Sequence, residues 1–217
     1  MTRIKIDGIK TEEHALTAAE AGADYIGMVF AQSPRQITPA RAEKIVAALK
    51  GEKASVETVG VFVNAHVGTV NKIADKCGLD WVQLHGDEPW ESCLELARPV
   101  IKVIRISRNQ KAEQVCKDLA YGTKLLNKQK HIYLIDSNVK DRYGGTGIRF
   151  DWKLAVPIAK EFPVIIAGGL TPDNVGEAIK VISPWGVDVS TGVETKGVKD
   201  MEKVRKFILA VKKADNG

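Results

Sequence analysis

The 217-residue sequence predicts an α/β fold, a single (β/α)8 TIM barrel whose parallel eight-stranded core spans residues 1–217. Three observations carry this. Short apolar runs recur eight times, amphipathic stretches of helical period lie between them, and glycine-rich clusters follow the last three runs. No linker, composition break or low-complexity segment divides the chain, whose length suits one sizeable core.

In order, the predicted strands are Arg3 to Asp7, Tyr25 to Phe30, Thr58 to Val63, Trp81 to Leu84, Val100 to Ile106, Ile132 to Asp136, Val164 to Ala167 and Val187 to Ser190. The stretches between them include Thr11 to Ala21, Pro39 to Leu49, Val67 to Cys77, Pro89 to Ala97, Ala112 to Leu119 and Asn174 to Ile182. Each has apolar positions three or four apart, the period of a helix buried on one side. Residues Gly122 to Lys130 read as a surface loop before the sixth strand, and Thr171 and Pro172 as the cap and first position of a helix.

Composition narrows the function. A formal charge of +5 has local excesses at Lys124 to Lys130 and Lys203 to Lys213, but no aromatic residues interleave with them for base stacking, so no nucleic-acid partner is expected. A mild positive field still favours an anionic small molecule. No run approaches the ~20 apolar residues of a spanning helix, and the N-terminus lacks an apolar core of the kind that directs secretion, so no membrane association is expected. Cys77, Cys93 and Cys116 lack metal-ligand spacing and read as reduced thiols in a cytoplasmic protein. The oligomeric state is left as monomer or homodimer.

In a barrel of this kind chemistry sits at the C-terminal strand ends. Polar residues closing an apolar strand gain little from burial, so their placement asks for a ligand or a network. Those residues include Asp7, Arg35 after the second strand, Asn64 at the third, Gln83 and His85 at the fourth, Arg105 at the fifth, Asp136 at the sixth, and Asp188 and Ser190 at the eighth. Glycines after a strand let backbone approach a ligand, and helix-start N–H groups attract anions. The clusters Gly144-Gly145-Thr146-Gly147, Gly168-Gly169-Leu170 and Ser190-Thr191-Gly192 therefore predict a phosphate cup.

These residues resemble the phosphoribosylanthranilate isomerase family of tryptophan biosynthesis. The likeness runs from Ile4-Lys5-Ile6 with Gly8-Ile9, through Gly60-Val61-Phe62-Val63-Asn64 and Val82-Gln83-Leu84-His85-Gly86, to Val187-Asp188-Val189-Ser190-Thr191-Gly192-Val193-Glu194. The resemblance implies an Amadori rearrangement of a phosphosugar substrate, without cofactor or metal. It implies that Asp136 is the general acid, that Arg35 meets the anthranilate carboxylate, and that Gly145, Thr146, Gly147, Gly168, Gly169, Ser190, Thr191 and Gly192 hold phosphate. The family's first-strand motif carries a cysteine as general base, and here that position is Asp7.

An ionised carboxylate can serve as that base, and the related histidine-pathway sugar isomerase family works with two aspartates. Asp7 and Asp136 would mimic that pair. Gln83 and His85 either touch substrate or tie the fourth strand to its neighbour, and Asp188 is read as orienting backbone or hydroxyl groups beneath the phosphate cup. Two alternatives stay open: a base-substituted barrel that binds phosphosugar with poor turnover, and the histidine-pathway isomerase itself. The second would need a phosphate cup in each half of the barrel, and the first half has no paired glycines.

Overall fold

The structure, a computed structural model, describes residues 1–107, 110–137 and 152–217. Eight parallel strands close a barrel in sequence order: β1 (Arg3–Ile6), β2 (Tyr25–Val29), β3 (Glu57–Phe62), β4 (Trp81–Leu84), β5 (Val100–Ile106), β6 (His131–Ser137), β7 (Val164–Ile166) and β8 (Gly186–Val189). Closure is made by β1 against β8, with Ile4 opposite Val187 and Lys5 opposite Asp188. The helices are α1 (Glu12–Ala21), α2 (Pro39–Gly51), α3 (Val67–Cys77), α4 (Glu91–Leu94), α5 (Ala112–Leu125), α6 (Trp152–Glu161), α7 (Val175–Ile182) and α8 (Met201–Asp215). The predicted (β/α)8 barrel is the fold observed.

Period-two alternation divides each strand between two cores. On β1 the outward residues Ile4 and Ile6 pack into the layer shared with the helices, which continues through Ala15, Ala18, Ile45, Val70, Leu119, Ile179 and Phe207. The inward residues of the other strands, Tyr25, Val59, Trp81, Ile101, Val103, Ile132, Leu134, Ile165 and Ala167, fill the barrel. Tyr25 sets its ring edge-on to Trp81, with centroids 6.0 Å apart, and meets Trp185 at 6.2 Å, so aromatics plug the N-terminal end. The surface opening there, lined by Arg3, Glu57, Trp81, Lys130 and Trp185, contains none of the site residues named above. At the other end the inward positions turn polar: Asp7 just past β1, Gln83 on β4 and His85 just past it, Asp136 on β6 and Asp188 on β8 are all buried.

Three predicted elements change their bounds. The helix expected over Pro89 to Ala97 is the single turn α4. Pro99 disfavours helical backbone at Arg98, and the Ala97 N–H is taken by Asn71 Oδ1 at 3.0 Å, so the chain leaves the helix early to enter β5. The loop expected over Gly122 to Lys130 is helical as far as Leu125. There the α5 backbone lies against the Trp90 indole so closely that a Cβ at Gly122 would fall 2.5 Å from the ring. Thr123 continues the helix and places its hydroxyl 2.8 Å from that of Tyr133. The helix expected from Thr171 and Pro172 begins three residues later, at Val175.

Two helices not enumerated from the sequence complete the ring. In α6 an internal Pro157 interrupts the local signal, and α8 is capped by Asp200, whose Oδ1 accepts from the Glu202 and Lys203 N–H groups. Among the described residues no helix is long and apolar enough to cross a membrane.

Gly122→Val should overpack the seam between α5 and Trp90 and destabilise the fold by about 1–3 kcal/mol. Urea denaturation followed by circular dichroism should show the lower midpoint; an unchanged midpoint would mean that the seam is loose.

Candidate active site

The first cluster follows from the parity of β1. Because Ile4 and Ile6 face the helices, Lys5 and Asp7 face the interior, and the β1–β8 register puts Asp188 beside Lys5. Lys5 is 1% exposed. Its Nζ donates to Asp7 Oδ1 and, at 3.0 Å, to Asp188 Oδ1. Burial alone would lower the Lys5 ammonium, but the carboxylates of Asp188 and Asp7 outweigh it and hold it above the usual lysine range. Asp188 is pushed up to about 7, first by burial and then by the charge of Asp7, because the ammonium that opposes both is shared. The neighbouring inward position on β2 is Gly27, where a Cβ would lie 1.5 Å from Asp7 Oδ1. The Asp7 carboxylate thus occupies a notch that any larger residue at 27 would fill.

Asp188 departs from its sequence reading. It was expected to orient backbone or hydroxyl groups beneath the phosphate cup, and instead it accepts from the Lys5 ammonium, because strand register places the two side by side.

Across the barrel, Asp136 closes β6. His85 Nε2 lies 3.3 Å from Asp136 Oδ2, with a direction that does not meet hydrogen-bond geometry, and His85 Nδ1 lies 3.1 Å from Gln83 Nε2. Gln83 therefore meets His85, and His85 lies beside Asp136, through the interior. Asp7 and Asp136 stand on strands separated by β7 and β8, on different walls of the same mouth.

Arg35 is half-buried and bidentate to Glu194, donating from Nε at 2.7 Å and from an Nη at 2.8 Å. Lys199 donates to the same carboxylate at 2.7 Å and to the Ser190 carbonyl at 2.9 Å. Burial would raise the Glu194 carboxyl, but Arg35 and Lys199 hold it down at about 2. Glu194 and Lys199 belong to a small antiparallel hairpin, β9 (Glu194–Thr195) with β10 (Val198–Lys199), that follows β8. The hairpin ties the loop after β2 to the loop after β8, at the edge of the mouth.

The strand-end glycines after β7 and β8 come together. Gly168 and Gly169 take φ of 88° and 67°, turning the chain sharply at the end of β7. A Cβ at Gly192 would fall 1.8 Å from the Leu170 carbonyl oxygen, so the two loops meet backbone to backbone. Thr171 and Pro172 form a turn rather than a cap. Asn174 locks that turn, accepting from the Thr171 N–H at 2.9 Å and donating to the Gly169 carbonyl at 3.0 Å. Ser190 Oγ lies 3.4 Å from the Asp7 carbonyl oxygen, joining the cup to β1. Gly145, Thr146 and Gly147 lie outside the described residues.

Four contributors were missed in the sequence: Lys5, Asn174, Glu194 and Lys199. Lys5 had a signal, a charge on the inward parity of a strand whose outward residues are isoleucines. Asn174 acts on the backbone of its own turn, and Glu194 and Lys199 through a cluster with Arg35 that appears only when loops meet. Among the described residues, no group of three or more His, Cys, Asp or Glu side chains is placed to hold a metal ion.

Comparison with known proteins places this geometry. Residues 4–210 match the family described as N-(5'phosphoribosyl)anthranilate (PRA) isomerase. The chain is 49% identical to the N-(5'-phosphoribosyl)anthranilate isomerase of Geotalea uraniireducens, with 98% of this chain and 99% of that one aligned. With the enzyme of the same name from Dehalococcoides mccartyi the identity is 44%, over 99% and 98%. Among solved structures, phosphoribosyl anthranilate isomerase from Thermotoga maritima superposes with a TM-score of 0.82 at 37% identity, covering 98% of this chain and 100% of that one. A phosphoribosyl anthranilate isomerase in complex with reduced 1-(o-carboxyphenylamino)-1-deoxyribulose 5-phosphate gives 0.81 at 36%, with the same coverage.

The Glu194 cluster generates a pH dependence. Its folded carboxyl sits at about 2 against an ordinary 4.5, so the stability it contributes is complete above 4.5 and is lost as pH falls toward 2. Glu194→Gln should lower the melting temperature at about pH 7 and flatten its decline between about pH 5 and 2. Differential scanning calorimetry across that range reads both; parallel curves for the two proteins would show that the cluster is not ionised as described.

Proposed function

Because the chain belongs to the N-(5'-phosphoribosyl)anthranilate isomerase family, we propose that Asp7 and Asp136 are the base and the acid with which it carries out that family's reaction. The chain is an isomerase of tryptophan biosynthesis, which converts N-(5'-phosphoribosyl)anthranilate to 1-(2-carboxyphenylamino)-1-deoxyribulose 5-phosphate by an Amadori rearrangement. What most supports the assignment of roles is the placement of two buried carboxylates, on β1 and β6, at the same mouth of the barrel.

The chemistry divides between them. Asp136 gives a proton to the ribose ring oxygen as the C1′–O4′ bond breaks, and the anthranilate nitrogen lone pair forms the C1′ iminium. Asp7 takes the C2′ proton, and the electrons of that C–H bond form the enolamine and neutralise the iminium. Loss of the 2′-hydroxyl proton with protonation at C1′ then gives the ketone. The Asp136 carboxylate left after the first step faces His85, which Gln83 holds from below. A free thiol, with a reference pKa of about 8.5, must lose its proton before it can accept one, and a carboxylate at position 7 is a weaker base than the family's thiolate.

The binding assignments follow the strand ends. The sugar phosphate sits against the backbone around Gly168, Gly169 and Gly192 with Ser190 and Thr191, joined by Gly145, Thr146 and Gly147 on the strength of their sequence pattern. Arg35 meets the anthranilate carboxylate with the guanidinium N–H groups that Glu194 leaves over, since a bidentate pair occupies only two of five. The free thiols Cys77, Cys93 and Cys116 suit a cytoplasmic setting, where thiols stay reduced.

Asp7→Asn keeps the shape and removes the proton acceptor, so turnover should fall by roughly 10² to 10⁴, while binding of the reduced product analogue barely changes. Asp7→Cys should keep or increase turnover and move the rate profile toward the thiol pKa. Loss of substrate fluorescence gives the rates, and a fully active Asp7→Asn would refute the base assignment. If instead the parent is barely active, Asp7→Asn costs nothing further and Asp7→Cys gains greatly, the protein is a base-substituted binder. Arg35→Ala should raise KM more than it lowers kcat, because a carboxylate remote from C2′ binds similarly in ground and transition states. Equal losses in kcat and kcat/KM would assign Arg35 to the chemical step.

A further inference from the structure

We propose that Lys5 is a positioning residue for the chemical step: shared between Asp7 and Asp188 inside the barrel, its ammonium fixes one oxygen of Asp7 and leaves the other to meet the substrate. The inference rests on the reading of Asp7 as the base and adds what makes a carboxylate workable there.

The geometry leaves little choice. Lys5 Nζ donates to Oδ1 of Asp7, and Asp7 Oδ2 takes no hydrogen bond among the described residues. Gly27 on β2 leaves the notch in which Oδ1 lies, so the carboxylate is pinned on the side of β2 and open on the other oxygen. Asp188 on β8 anchors Lys5 from the far side at 3.0 Å. The remaining charges that act on this group are known. Arg35, from the loop after β2, and Lys199, from β10, act on Asp7 as cations, while Asp136 on β6 acts on Asp188 as a carboxylate. Without Lys5 the Asp7 carboxylate has no hydrogen bond among the described residues to fix its orientation.

Lys5→Met should lower kcat by roughly 10-fold or more while KM and binding of the reduced product analogue barely change, because the base loses its orientation and the binding surface is untouched. In the Asp7→Asn background the same substitution should cost nothing further, since the group that Lys5 positions is already gone. Asp188→Asn, which frees Lys5 from its anchor, should likewise lower kcat in the parent and not in Asp7→Asn. Loss of substrate fluorescence gives the rates. A merely structural lysine would lower stability and cost the same factor in both backgrounds, and that result would overturn the proposal. If Lys5→Met does not fold, Asp188→Asn still decides by the same comparison. An Asp7→Asn protein as active as the parent would overturn the base assignment itself.

Discussion

A lysine ammonium sealed inside a barrel must be answered by carboxylates, and this constraint organises the mouth of the molecule. Removing one partner of a buried pair costs about 3–5 kcal/mol, because it strands the other charge. Lys5 on β1 is answered by Asp188 through the register that closes the barrel, and by Asp7 two residues along its own strand. The group carries two potential negative charges against one positive, and Asp188 absorbs the excess by titrating higher. Strand register, which sets Asp188 beside Lys5, and the bare α-carbon of Gly27, which leaves room for Asp7, together meet this one electrostatic requirement.

The second ionic cluster serves a different end. Arg35, Glu194 and Lys199 come from loops, and their pairing fixes the hairpin after β8 over the edge of the mouth. Glu194 is shared between two cations, so the cluster keeps a net positive charge at the edge of the mouth. Asn174 does similar work for the loop after β7 with a single amide, satisfying a donor and an acceptor that the turn would otherwise leave unpaired. The apolar plug of Tyr25, Trp81 and Trp185 closes the far end, so polar chemistry is confined to the C-terminal end of the barrel.

A buried carboxylate at position 7 makes two demands of its neighbours. It needs a cation close by and room for two oxygens. Lys5 and Gly27 supply these at the same spot, from adjacent strands. Asp7 is therefore accommodated by the surrounding barrel.

The sequence by itself determined the barrel, because eight apolar runs alternating with helical periods have few ways to bury both faces of a parallel sheet. It also placed the catalytic candidates, since Asp7 and Asp136 each end an apolar run at a point where burial alone gains nothing. Local pattern failed where tertiary contact overrode it: Gly122 stays helical against Trp90, and the stretch around Pro89 shortens to one turn on its way to Pro99. What only the tertiary structure decided is which charges meet. Asp188 beside Lys5, Arg35 on Glu194 and His85 against Asp136 are pairings between residues far apart in the chain, fixed by the register of a closed sheet and by loops converging at one mouth. Periodicity specifies which face a side chain takes, while closure of the barrel specifies which neighbour it finds there.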